Sequence, residues 1–547
     1  MQPLFNASVY LVDRRVEAGD GDRLALTGVG GDVSYQELLD QVCRAAAGLR
    51  QLGLEPEQRI VLFMADSPGL VVLYLAAMRM GAVPVPVSTM LHAEGLAGLL
   101  CDSRARLLAV SGGFADLAGV AVAQAPELCG LVVDGDAAVD TTLAVHRLAD
   151  VVAGAADRSV YATWEDSPAF WLYTSGTTGE PKGAMHRHGS IKAVCETYGA
   201  QVLGIGAEDR CLSAAKAFFA YGLGNSVLFP LSVGAATILE PEPSRPELIA
   251  ARAEQYGCSL FFAGPTFFVN MLKAGLAPDA LGQKVRLAAS AGEALPASLY
   301  RRWTGHFGVD ILDGIGMTEM LNTFLSNRPG QVRPGTTGMA VPGYRLRIVD
   351  DDGVEVSDGT PGTLLVSGPS TATGYWSRYD ASRSVFEGQW LRTGDTYVRD
   401  EDGFYQCLGR VGDMLKASGI WVSPTEVEER LVVHPAVAQA VVVAACDADG
   451  LEKPVAFVIT HPDATVDEAE LIDFCRQGLP SYERPRKIVF VAQYPTTATG
   501  KIRRVELRAQ AAPLLGGRRV AGGPTAPSTA ACGDWRQPSS TAGDHCS

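Results

Sequence analysis

The chain has 547 residues, of which 47% are hydrophobic and 20% are charged, and its formal net charge is −15. A chain of this length predicts about three or four compact units rather than a single domain. The excess of acidic side chains argues against a general binder of nucleic acids or of anionic membrane surfaces. A local basic pocket for an anionic nucleotide remains compatible with this charge.

No stretch of the sequence predicts a membrane segment or a secretory signal. The first residues lack the basic region followed by an apolar region that such a signal needs. The most apolar stretch, residues 69–88, is interrupted by Arg79 and by two prolines, so it is too short to span a bilayer. The 11 cysteines show neither Cys-x-x-Cys pairs nor zinc spacing. We expect a cytoplasmic protein with reduced thiols.

The N-terminal part alternates helical periodicity with short apolar runs. Residues 34–53 predict an amphipathic helix, and residues 59–65 predict a buried strand. A second helix over 69–81 and a second strand over 83–87 follow. This β-α-β alternation predicts parallel sheets that are covered by helices.

From about Tyr344 the character of the sequence changes. The segments 344–356 and 362–368 are short apolar runs, and Asp-Gly turns join runs of this kind. Such turns are typical of two-stranded hairpins. We therefore expect antiparallel strands in this region.

The C-terminal part predicts a smaller α+β unit of about a hundred residues. One helix is expected to begin with a capping box at Ser423 and Glu426, and a second with a box at Thr465 and Glu468. Strands are expected over 436–446 and 487–492.

These patterns divide the chain into three parts. We expect an N-terminal domain over 1–411 and a C-terminal domain over 412–512. The last stretch, 513–547, is rich in Gly, Pro, Ser, Thr and Ala and is predicted to be a disordered tail.

The segment TSGTTGEPKG, residues 174–183, predicts a phosphate-binding loop. It combines three glycines, four hydroxyl side chains and Lys182 directly after an apolar run. Glycine lets the backbone approach a phosphate closely, and N–H groups, hydroxyls and a lysine supply donors. The segment is not a Walker A motif, because Lys182 follows Pro181 and precedes Gly183 instead of a Ser or Thr. A P-loop NTPase is therefore excluded.

The wider stretch YTSGTTGEPKGAMH resembles the signature of the adenylate-forming superfamily, which includes acyl-CoA synthetases, luciferases and nonribosomal-peptide adenylation domains. Further motifs resemble those of the family and follow its order: SAGEALP (290–296), GIGMTE (314–319), RTGD (392–395), GRVGDMLKASG (409–419) and PTTATGKIRR (495–504). The resemblance covers residues 10–510, and it implies an α/β fold. Expected are a large N-terminal domain of helix-covered sheets with a β-rich subdomain, and a small mobile α+β C-terminal domain.

The resemblance implies a set of residues that act on ATP. Lys501 is the expected catalytic cation, because negative charge builds on the α-phosphate while the attacking carboxylate is itself an anion. Thr318 is expected to hold phosphate oxygens, and Glu319 to be the oxygen ligand of Mg²⁺. The remaining ATP-binding residues are expected to be Thr174, Ser175, Gly176, Thr177, Thr178, Gly179, Lys182, Gly292, Glu293, Asp313, Gly314, Asp395 and Arg410. Among them, Asp313 is expected to accept from the adenine amino group, and Asp395 from the ribose hydroxyls.

The family is expected to run its two half-reactions by rotating the small domain about a hinge. The hinge is assigned to Gly412 and Asp413. The family's usual acid lies where this chain has Gly412, which can absorb a large change in backbone angles. Lys416 and Gly419 are expected to line the channel through which the thiol approaches.

Two segments, 213–235 and 312–330, resemble the benzoate-CoA ligase branch of the superfamily. The resemblance implies a flat pocket for an aromatic ring, although adjacent aromatic residues also suit a buried core. Asn322 and Thr323 stand where the benzoate enzymes carry His and Ile, and two polar side chains would favour a polar ring substituent. The expected substrate is benzoate or a hydroxy- or aminobenzoate. The pocket is assigned to Phe219, Ala220, Tyr221, Ala291, Asn322 and Thr323.

The thiol acceptor stays open between free CoA and the phosphopantetheine of an acyl carrier protein. The expected small molecules are therefore ATP, Mg²⁺, an aryl acid and CoA or its carrier-bound equivalent, and a homodimer is possible. A luciferase-like oxygenase would need a dedicated pocket that nothing in the sequence indicates. A catalytically inactive binding module is disfavoured, because Lys501, Glu319, Asp395 and Arg410 are all present.

Overall fold

The computed structural model describes residues 3–174, 180–410, 415–417, 420–447, 451–462, 464–481, 483–496 and 502–515, with backbone alone for 416, 417, 420 and 421. Several predicted site residues lie outside the described residues: Ser175, Gly176, Thr177, Thr178, Gly179, Gly412, Asp413, Gly419 and Lys501. Most of the predicted tail, 516–547, also lies outside them.

The strands are numbered in chain order. They are Leu24–Gly28 (β1), Val33–Ser34 (β2), Arg59–Phe63 (β3), Val83–Pro86 (β4), Ala105–Ser111 (β5), Gly130–Asp134 (β6), Ala144–Arg147 (β7), Pro168–Thr174 (β8), Lys182–Arg187 (β9), Arg210–Ser213 (β10), Ala236–Leu239 (β11), Leu260–Ala263 (β12), Leu287–Ser290 (β13), Ile311–Gly316 (β14), Thr323–Ser326 (β15), Met339–Ala340 (β16), Arg345–Val349 (β17), Gly362–Ser367 (β18), Phe386–Glu387 (β19), Trp390–Arg399 (β20), Tyr405–Arg410 (β21), Leu415–Ala417 (β22), Ile420–Val422 (β23), Val437–Cys446 (β24), Glu452–Thr460 (β25) and Lys487–Phe490 (β26).

The α-helices are numbered in the same way. They are Tyr35–Gln51 (α1), Pro68–Arg79 (α2), Ala93–Ser103 (α3), Ala115–Val122 (α4), Leu148–Val151 (α5), His188–Val194 (α6), Ala220–Leu223 (α7), Phe229–Val233 (α8), Pro246–Tyr256 (α9), Pro265–Lys273 (α10), Ala297–Phe307 (α11), Tyr379–Val385 (α12), Pro424–Val432 (α13), Glu468–Arg476 (α14) and Arg504–Ala511 (α15). Short 3₁₀ turns cover Gly112–Phe114, Thr318–Met320 and Ala512–Leu515, and π-helical turns cover Val9–Asp13, Val16–Asp20, Cys195–Val202 and Gly224–Leu228.

Two sheets with parallel strands form the N-terminal part, as predicted. One has the order β4-β3-β5-β6-β7, and all of its neighbours are parallel. The other has the order β16-β15-β14-β13-β12-β10-β11-β1-β2, in which the central run from β14 to β1 is parallel. Helix α1 begins at the predicted place, where Ser34 and Glu37 form a reciprocal capping box. Its apolar side chains, such as Leu38 and Val42, are fully buried.

Antiparallel strands follow residue 344, as the Asp-Gly turns predict. Strand β18 pairs with β17 and β20, and β20 also pairs with β19 and β21. Strands β8 and β9 form a separate antiparallel pair. The expected α/β fold with a β-rich region is confirmed.

The C-terminal part has its own apolar core. Strands β24 and β25 are antiparallel, and β26 adds to β25 in parallel. Apolar side chains of α13 and α14 pack on one face of this sheet, and Leu507 and Ala511 of α15 pack on the other. The 3₁₀ turn Ala512–Leu515 includes three residues that the sequence assigned to the tail.

The start of α13 was predicted correctly, whereas the start of α14 was not. The Ser423 hydroxyl accepts a hydrogen bond from the Glu426 N–H and caps α13. Helix α14 is capped by Asp467 instead of Thr465. The side chain of Glu468 is engaged by β26, where it accepts from the Ile488 N–H and from Lys487, so it cannot close the predicted box.

None of the helices in the described residues is long and apolar enough to cross a membrane.

Candidate active site

The predicted phosphate loop connects the two strands of a hairpin. Thr174, the last residue of β8, lies opposite Lys182, the first residue of β9. Both are partly buried, whereas Glu180 and Pro181 are exposed. The hairpin therefore fixes the two ends of the predicted loop, and it holds the Lys182 ammonium 5.7 Å from the centroid of the Tyr375 ring.

The turn Thr318–Met320 lies beside this hairpin and is held by one backbone and two side-chain hydrogen bonds from the segment before α12. The Ala372 N–H donates to the Glu319 carbonyl at 2.8 Å. The Ser370 hydroxyl donates to the Met320 carbonyl at 2.7 Å. The Tyr375 hydroxyl donates to the Glu319 carboxylate oxygen Oε1. These bonds orient the carboxylate that the sequence assigned to the metal.

His186 of β9 joins the hairpin to the same turn. Its Nε2 lies 2.8 Å from the Thr318 carbonyl oxygen, and the carbonyl can only accept, so Nε2 carries the proton. Burial lowers the pKa of His186 to about 4, which keeps the ring neutral. The ring also stacks on Phe170, with centroids 5.0 Å apart. Lys182, Thr318 and Glu319, which are far apart in the sequence, are thereby brought together.

Glu319 fits the expected role of a magnesium ligand. It is a carboxylate that is buried to 6% exposure, and within the described part of the chain its Oε2 receives no hydrogen bond from another residue. The described residues contain no cluster of three or more His, Cys, Asp or Glu side chains that could hold a metal. A single carboxylate that leaves the other positions to phosphate and water is what Mg²⁺ accepts in nucleotide sites.

Asp313 of β14 lines a crevice and keeps one carboxylate oxygen without a partner. The Leu295 N–H approaches its Oδ2 at 3.4 Å, while Oδ1 is buried and accepts no hydrogen bond from the described residues. Burial raises the pKa of Asp313 to about 8. The crevice is also lined by Thr425 and Glu426 of α13. An orphaned acceptor fits the prediction that Asp313 contacts the adenine amino group.

Three other predicted nucleotide residues are neighbours of the lining residues in the sequence: Gly292 and Glu293 precede Ala294, and Gly314 follows Asp313. Gly292, directly after β13, has a positive φ of 97°, which allows the chain to turn there. Glu293 is exposed and accepts from the Thr266 hydroxyl at 3.1 Å. Gly314 packs so closely on β15 that a Cβ would lie 2.8 Å from Thr323 Cγ2.

Asp395 and Arg410 are cross-strand partners. They lie opposite each other on β20 and β21, and the Arg410 Nε lies 2.9 Å from Asp395 Oδ1. Arg410 also donates to the Thr393 carbonyl at 3.1 Å. The charge of Asp395 acts on Cys407, which lines the crevice, so Asp395 lies near the crevice.

The predicted aryl segment enters helix α7. Phe219 is the N-cap residue and packs edge-on against Phe218, with ring centroids 4.6 Å apart. The Tyr221 hydroxyl donates to the Ala289 carbonyl of β13 at 2.8 Å. A Cβ on Gly222 would lie 2.0 Å from the Lys216 carbonyl, so only glycine fits after Tyr221.

Asn322 and Thr323 lie against this segment. The Asn322 Nδ2 donates to the Ala220 carbonyl at 3.0 Å, and its Oδ1 accepts from both the backbone N–H and the hydroxyl of Thr323. Both side chains are buried. Ala291, the remaining pocket residue, is also buried, directly after β13. Lys416 is described by its backbone in β22, opposite Trp421.

Two residues that contact this site were missed by the sequence reasoning. Tyr375, which binds Glu319, lies outside the motifs that were compared. Asp66 follows β3 and accepts from the Ala217 N–H at 3.0 Å, so it holds the aryl segment. Burial raises the pKa of Asp66 to about 6. A polar residue directly after a buried parallel strand was a signal that could have identified Asp66.

Comparisons with known proteins agree with this geometry. Residues 12–376 match the family model of the AMP-binding enzymes, and residues 426–501 match that of the AMP-binding enzyme C-terminal domain. A benzoate–CoA ligase of Thauera aromatica is 41% identical over 509 residues, which are 92% of this chain and 96% of that protein.

Two solved structures of CoA ligases are also similar to this chain. The benzoate CoA ligase of Burkholderia xenovorans LB400 superimposes with a TM-score of 0.84 at 41% identity, over 92% of this chain and all of that one. The anthranilate CoA ligase AuaEII in complex with anthranoyl-AMP has a TM-score of 0.88 at 35% identity, over 93% and 98% of the two chains. The resemblance read from the sequence motifs is confirmed: the chain belongs to the AMP-binding enzymes of the adenylate-forming superfamily.

Proposed function

We propose that the protein activates benzoate or a small substituted benzoate with ATP and transfers the acyl group to the thiol of coenzyme A. The products are aryl-CoA, AMP and pyrophosphate. The observation that carries this proposal is the convergence of Lys182, Thr318 and Glu319 beside an aromatic segment that Tyr221 anchors to β13. Relatives of high coverage that are named as benzoate and anthranilate CoA ligases support it.

The first half-reaction forms an acyl-adenylate. A carboxylate oxygen of the acid attacks the α-phosphorus of ATP, the bond to the bridging oxygen of pyrophosphate breaks, and its electron pair leaves with pyrophosphate. The 174–183 loop and Thr318 would hold the phosphate oxygens, and Glu319 would hold Mg²⁺. The bound ion would neutralise charge on the leaving pyrophosphate. Lys501 stabilises the charge that develops between the carboxylate and the α-phosphate.

Nucleotide binding is assigned to the crevice beside β14. Asp313 offers its unpartnered Oδ1 to the adenine amino group. Asp395 accepts from the ribose hydroxyls while Arg410 keeps its carboxylate in place. Gly292 and Glu293 border the same crevice with their backbone after β13.

The second half-reaction transfers the acyl group. The thiol sulfur attacks the acyl carbon, the bond from that carbon to the AMP oxygen breaks, and the thiol proton is released as AMP departs. We assign the domains as 1–411 and 412–512, with the tail from 513 and the hinge at Gly412 and Asp413. Rotation about this hinge would replace Lys501 by the face that carries Lys416 and Gly419.

Free CoA is the proposed acceptor. The comparisons give no support to a carrier protein as the acceptor, and a homodimer stays a prediction. The resemblance to CoA ligases covers more than nine-tenths of the chain.

The test is pyrophosphate release with ATP, Mg²⁺ and a panel of aryl and alkyl acids, with and without CoA. We expect turnover with benzoate-type acids that rises steeply when CoA is added, because CoA removes the bound adenylate. Long alkyl acids that outperform every aryl acid would contradict the proposed substrate. Adenylate formation that CoA leaves unchanged would redirect the acceptor to a carrier protein. The Lys501→Ala variant controls for contaminating ATP hydrolysis.

A further inference from the structure

Two buried polar side chains beside the aryl segment have polar atoms that form no hydrogen bond of ordinary distance and angle with a described residue. Asn225 is completely buried, and neither Nδ2 nor Oδ1 forms a hydrogen bond with a described residue. Tyr198 is also completely buried, and its hydroxyl is equally unpaired. A buried amide or hydroxyl without a hydrogen bond destabilises the folded state, so a chain that keeps two side by side needs a partner from elsewhere.

Both side chains lie next to Tyr221, the predicted wall of the ring slot. Asn225 follows Tyr221 by four residues in the helical segment that runs from α7 into the π-turn Gly224–Leu228, so the two share one helix face. The Asn225 amide is close enough to the Tyr221 phenol to oppose, in part, the rise of its pKa on burial. The Tyr221 hydroxyl itself is committed to the Ala289 carbonyl.

Tyr198 approaches the same place from the opposite side. It belongs to the π-turn Cys195–Val202, and its ring packs edge-on against Phe229 at 5.8 Å between centroids. Burial raises the pKa of its phenol to about 12, and the nearby hydroxyls of Ser326 and Thr323 partly offset this rise. Tyr198 also acts electrostatically on Tyr221. Asn225 and Tyr198 therefore both lie near Tyr221, and the turn that carries Tyr198 contacts β15.

Asn322 and Thr323, which the sequence assigned to recognition of a ring substituent, form hydrogen bonds with protein groups instead. The Asn322 Oδ1 accepts hydrogen bonds from Thr323, and the Asn322 Nδ2 donates to the Ala220 carbonyl. A Cβ on Gly224 would lie 2.2 Å from the Asn322 Nδ2, so this amide is packed directly against the segment that carries Asn225. Asn322 thus supports the segment that carries Asn225, and its own amide is committed to protein groups.

We propose that Asn225 and Tyr198 form the subsite that binds a polar substituent on the ring of the aryl acid, and this proposal rests on the proposed function. An amide and a phenol each offer a donor and an acceptor, so together they match a hydroxyl or an amino group. Among the described residues, no lysine or arginine is named with the groups that shift the pKa of Tyr198 or of Tyr221, so the subsite suits a neutral substituent. An unsubstituted ring leaves both groups unpaired, which makes the subsite a determinant of specificity.

The experiment compares benzoate with the three hydroxybenzoates and the three aminobenzoates, for the wild type and for Asn225→Leu and Tyr198→Phe. We expect the wild type to favour at least one substituted acid over benzoate by about 10-fold or more in kcat/KM. Each variant should reduce that preference by about 10- to 100-fold, while kcat/KM for benzoate changes by less than about 3-fold. Calorimetric titration of the acids measures the same loss as binding.

The Tyr74→Phe variant is the matched control. Tyr74 is 1% exposed, its hydroxyl is also unpaired among the described residues, and it packs edge-on against Phe170 of β8. It should leave the preference unchanged. Variants at Asn225 and Tyr198 that lower kcat/KM for all seven acids equally, or leave the preference intact, would overturn the subsite. Absence of turnover with every aryl acid in the wild type would instead overturn the proposed function.

Discussion

The Tyr375 hydroxyl donates a hydrogen bond to the Oε1 of Glu319, and both side chains are only 6% exposed. Burial, together with the charge of Glu319, raises the pKa of Tyr375 well above its ordinary value, so the phenol stays protonated and donates. Lys182 lies over the Tyr375 ring and, within the described residues, forms no ion pair with Glu319. The tyrosine thus orients the carboxylate without neutralising it, which preserves its charge for a metal ion.

Removal of this hydroxyl should weaken the binding of Mg²⁺. In Tyr375→Phe the carboxylate keeps its charge and loses its fixed orientation, and the loss of a partner beyond the metal ligands typically costs about 10- to 100-fold in metal affinity. We expect the Mg²⁺ concentration for half-maximal adenylate formation to rise by about 10-fold. Binding of Mn²⁺ to the enzyme–ATP complex, followed by electron paramagnetic resonance, should weaken in parallel.

The matched control for this prediction is Tyr300→Phe. The Tyr300 hydroxyl donates to the Asp310 carboxylate at 2.8 Å, far from the proposed metal ligand, so the same chemical change is made elsewhere. An unchanged Mg²⁺ requirement and unchanged Mn²⁺ binding in Tyr375→Phe would show that the tyrosine only fills space.

Asp395 should account for recognition of the ribose hydroxyls. One hydrogen bond to a charged group contributes about 1.5–3 kcal/mol, so the loss of even one in Asp395→Ala should lower kcat/KM for ATP by at least about 10- to 100-fold. The same variant should barely affect 2′,3′-dideoxy-ATP, which has no ribose hydroxyls to bind. Pyrophosphate release with the two nucleotides measures the difference.

Asp358→Ala is the control for Asp395. Asp358 also pairs with an arginine of β20, Arg399, but the pair is exposed at the surface. This variant should retain the wild-type ratio between ATP and the dideoxy nucleotide. Equal losses for both nucleotides in Asp395→Ala would contradict a ribose contact and indicate a structural role for the Asp395–Arg410 pair.

The buried carboxyl of Asp313 should make stability depend on pH. Burial raises its pKa from the ordinary value of 3.8 to about 8 in the folded state. The folded state therefore binds a proton that the unfolded state releases, and this stabilisation is complete below pH 3.8 and is lost as the pH rises through about 8. Replacing the carboxyl with an amide removes the dependence.

Melting temperatures of the wild type and of Asp313→Asn from pH 6 to pH 9 test this prediction. The variant should gain stability relative to the wild type as the pH rises, by at most about 1.4 kcal/mol per pH unit, with the gain levelling off above pH 8. Asp310→Asn removes an exposed carboxyl next to the same strand and controls for the change in net charge. Parallel curves for the wild type and Asp313→Asn would contradict the raised pKa.

The sequence predicted the elements whose signals are local. Helix α1 begins at Tyr35, directly after its cap Ser34, because the capping residues and the apolar positions all lie within this one segment of sequence. The parallel strands were predicted from short apolar runs between helices. The start of α14 was misplaced because the Glu468 carboxylate accepts hydrogen bonds from Lys487 and Ile488 of β26, about 20 residues further along the chain. Tertiary contacts of this kind override a local capping pattern.

The same distinction applies to the site. Motifs made Glu319 and Asp313 candidates for the site because each motif is a contiguous stretch of sequence. The tyrosine that orients Glu319 is 56 residues away, and the unpaired state of Asn225 depends on every neighbour in the fold. Neither relationship leaves a pattern in a single sequence, because hydrogen-bond satisfaction is a property of the packed interior.

Lys501 should separate the two half-reactions. A cation that faces the α-phosphate stabilises the transition state of adenylation more than its ground state, so Lys501→Ala should slow adenylate formation by about 10²- to 10³-fold. Acyl transfer from chemically prepared aryl-adenylate to CoA should proceed at nearly the wild-type rate, since the rotated domain no longer presents Lys501 to the site. Single-turnover assays of each half-reaction measure the two rates.

Lys487→Ala is the control from the same part of the chain. Lys487 pairs with Glu468 at 2.8 Å in the C-terminal sheet, so its removal tests whether any lost lysine of this unit slows adenylation. Equal slowing of both half-reactions in Lys501→Ala would contradict an alternating domain, because a lysine that acts in both steps cannot leave the site between them. Slowing of adenylation alone would assign Lys501 to that step. That result would agree with the proposed rotation about residues 412 and 413.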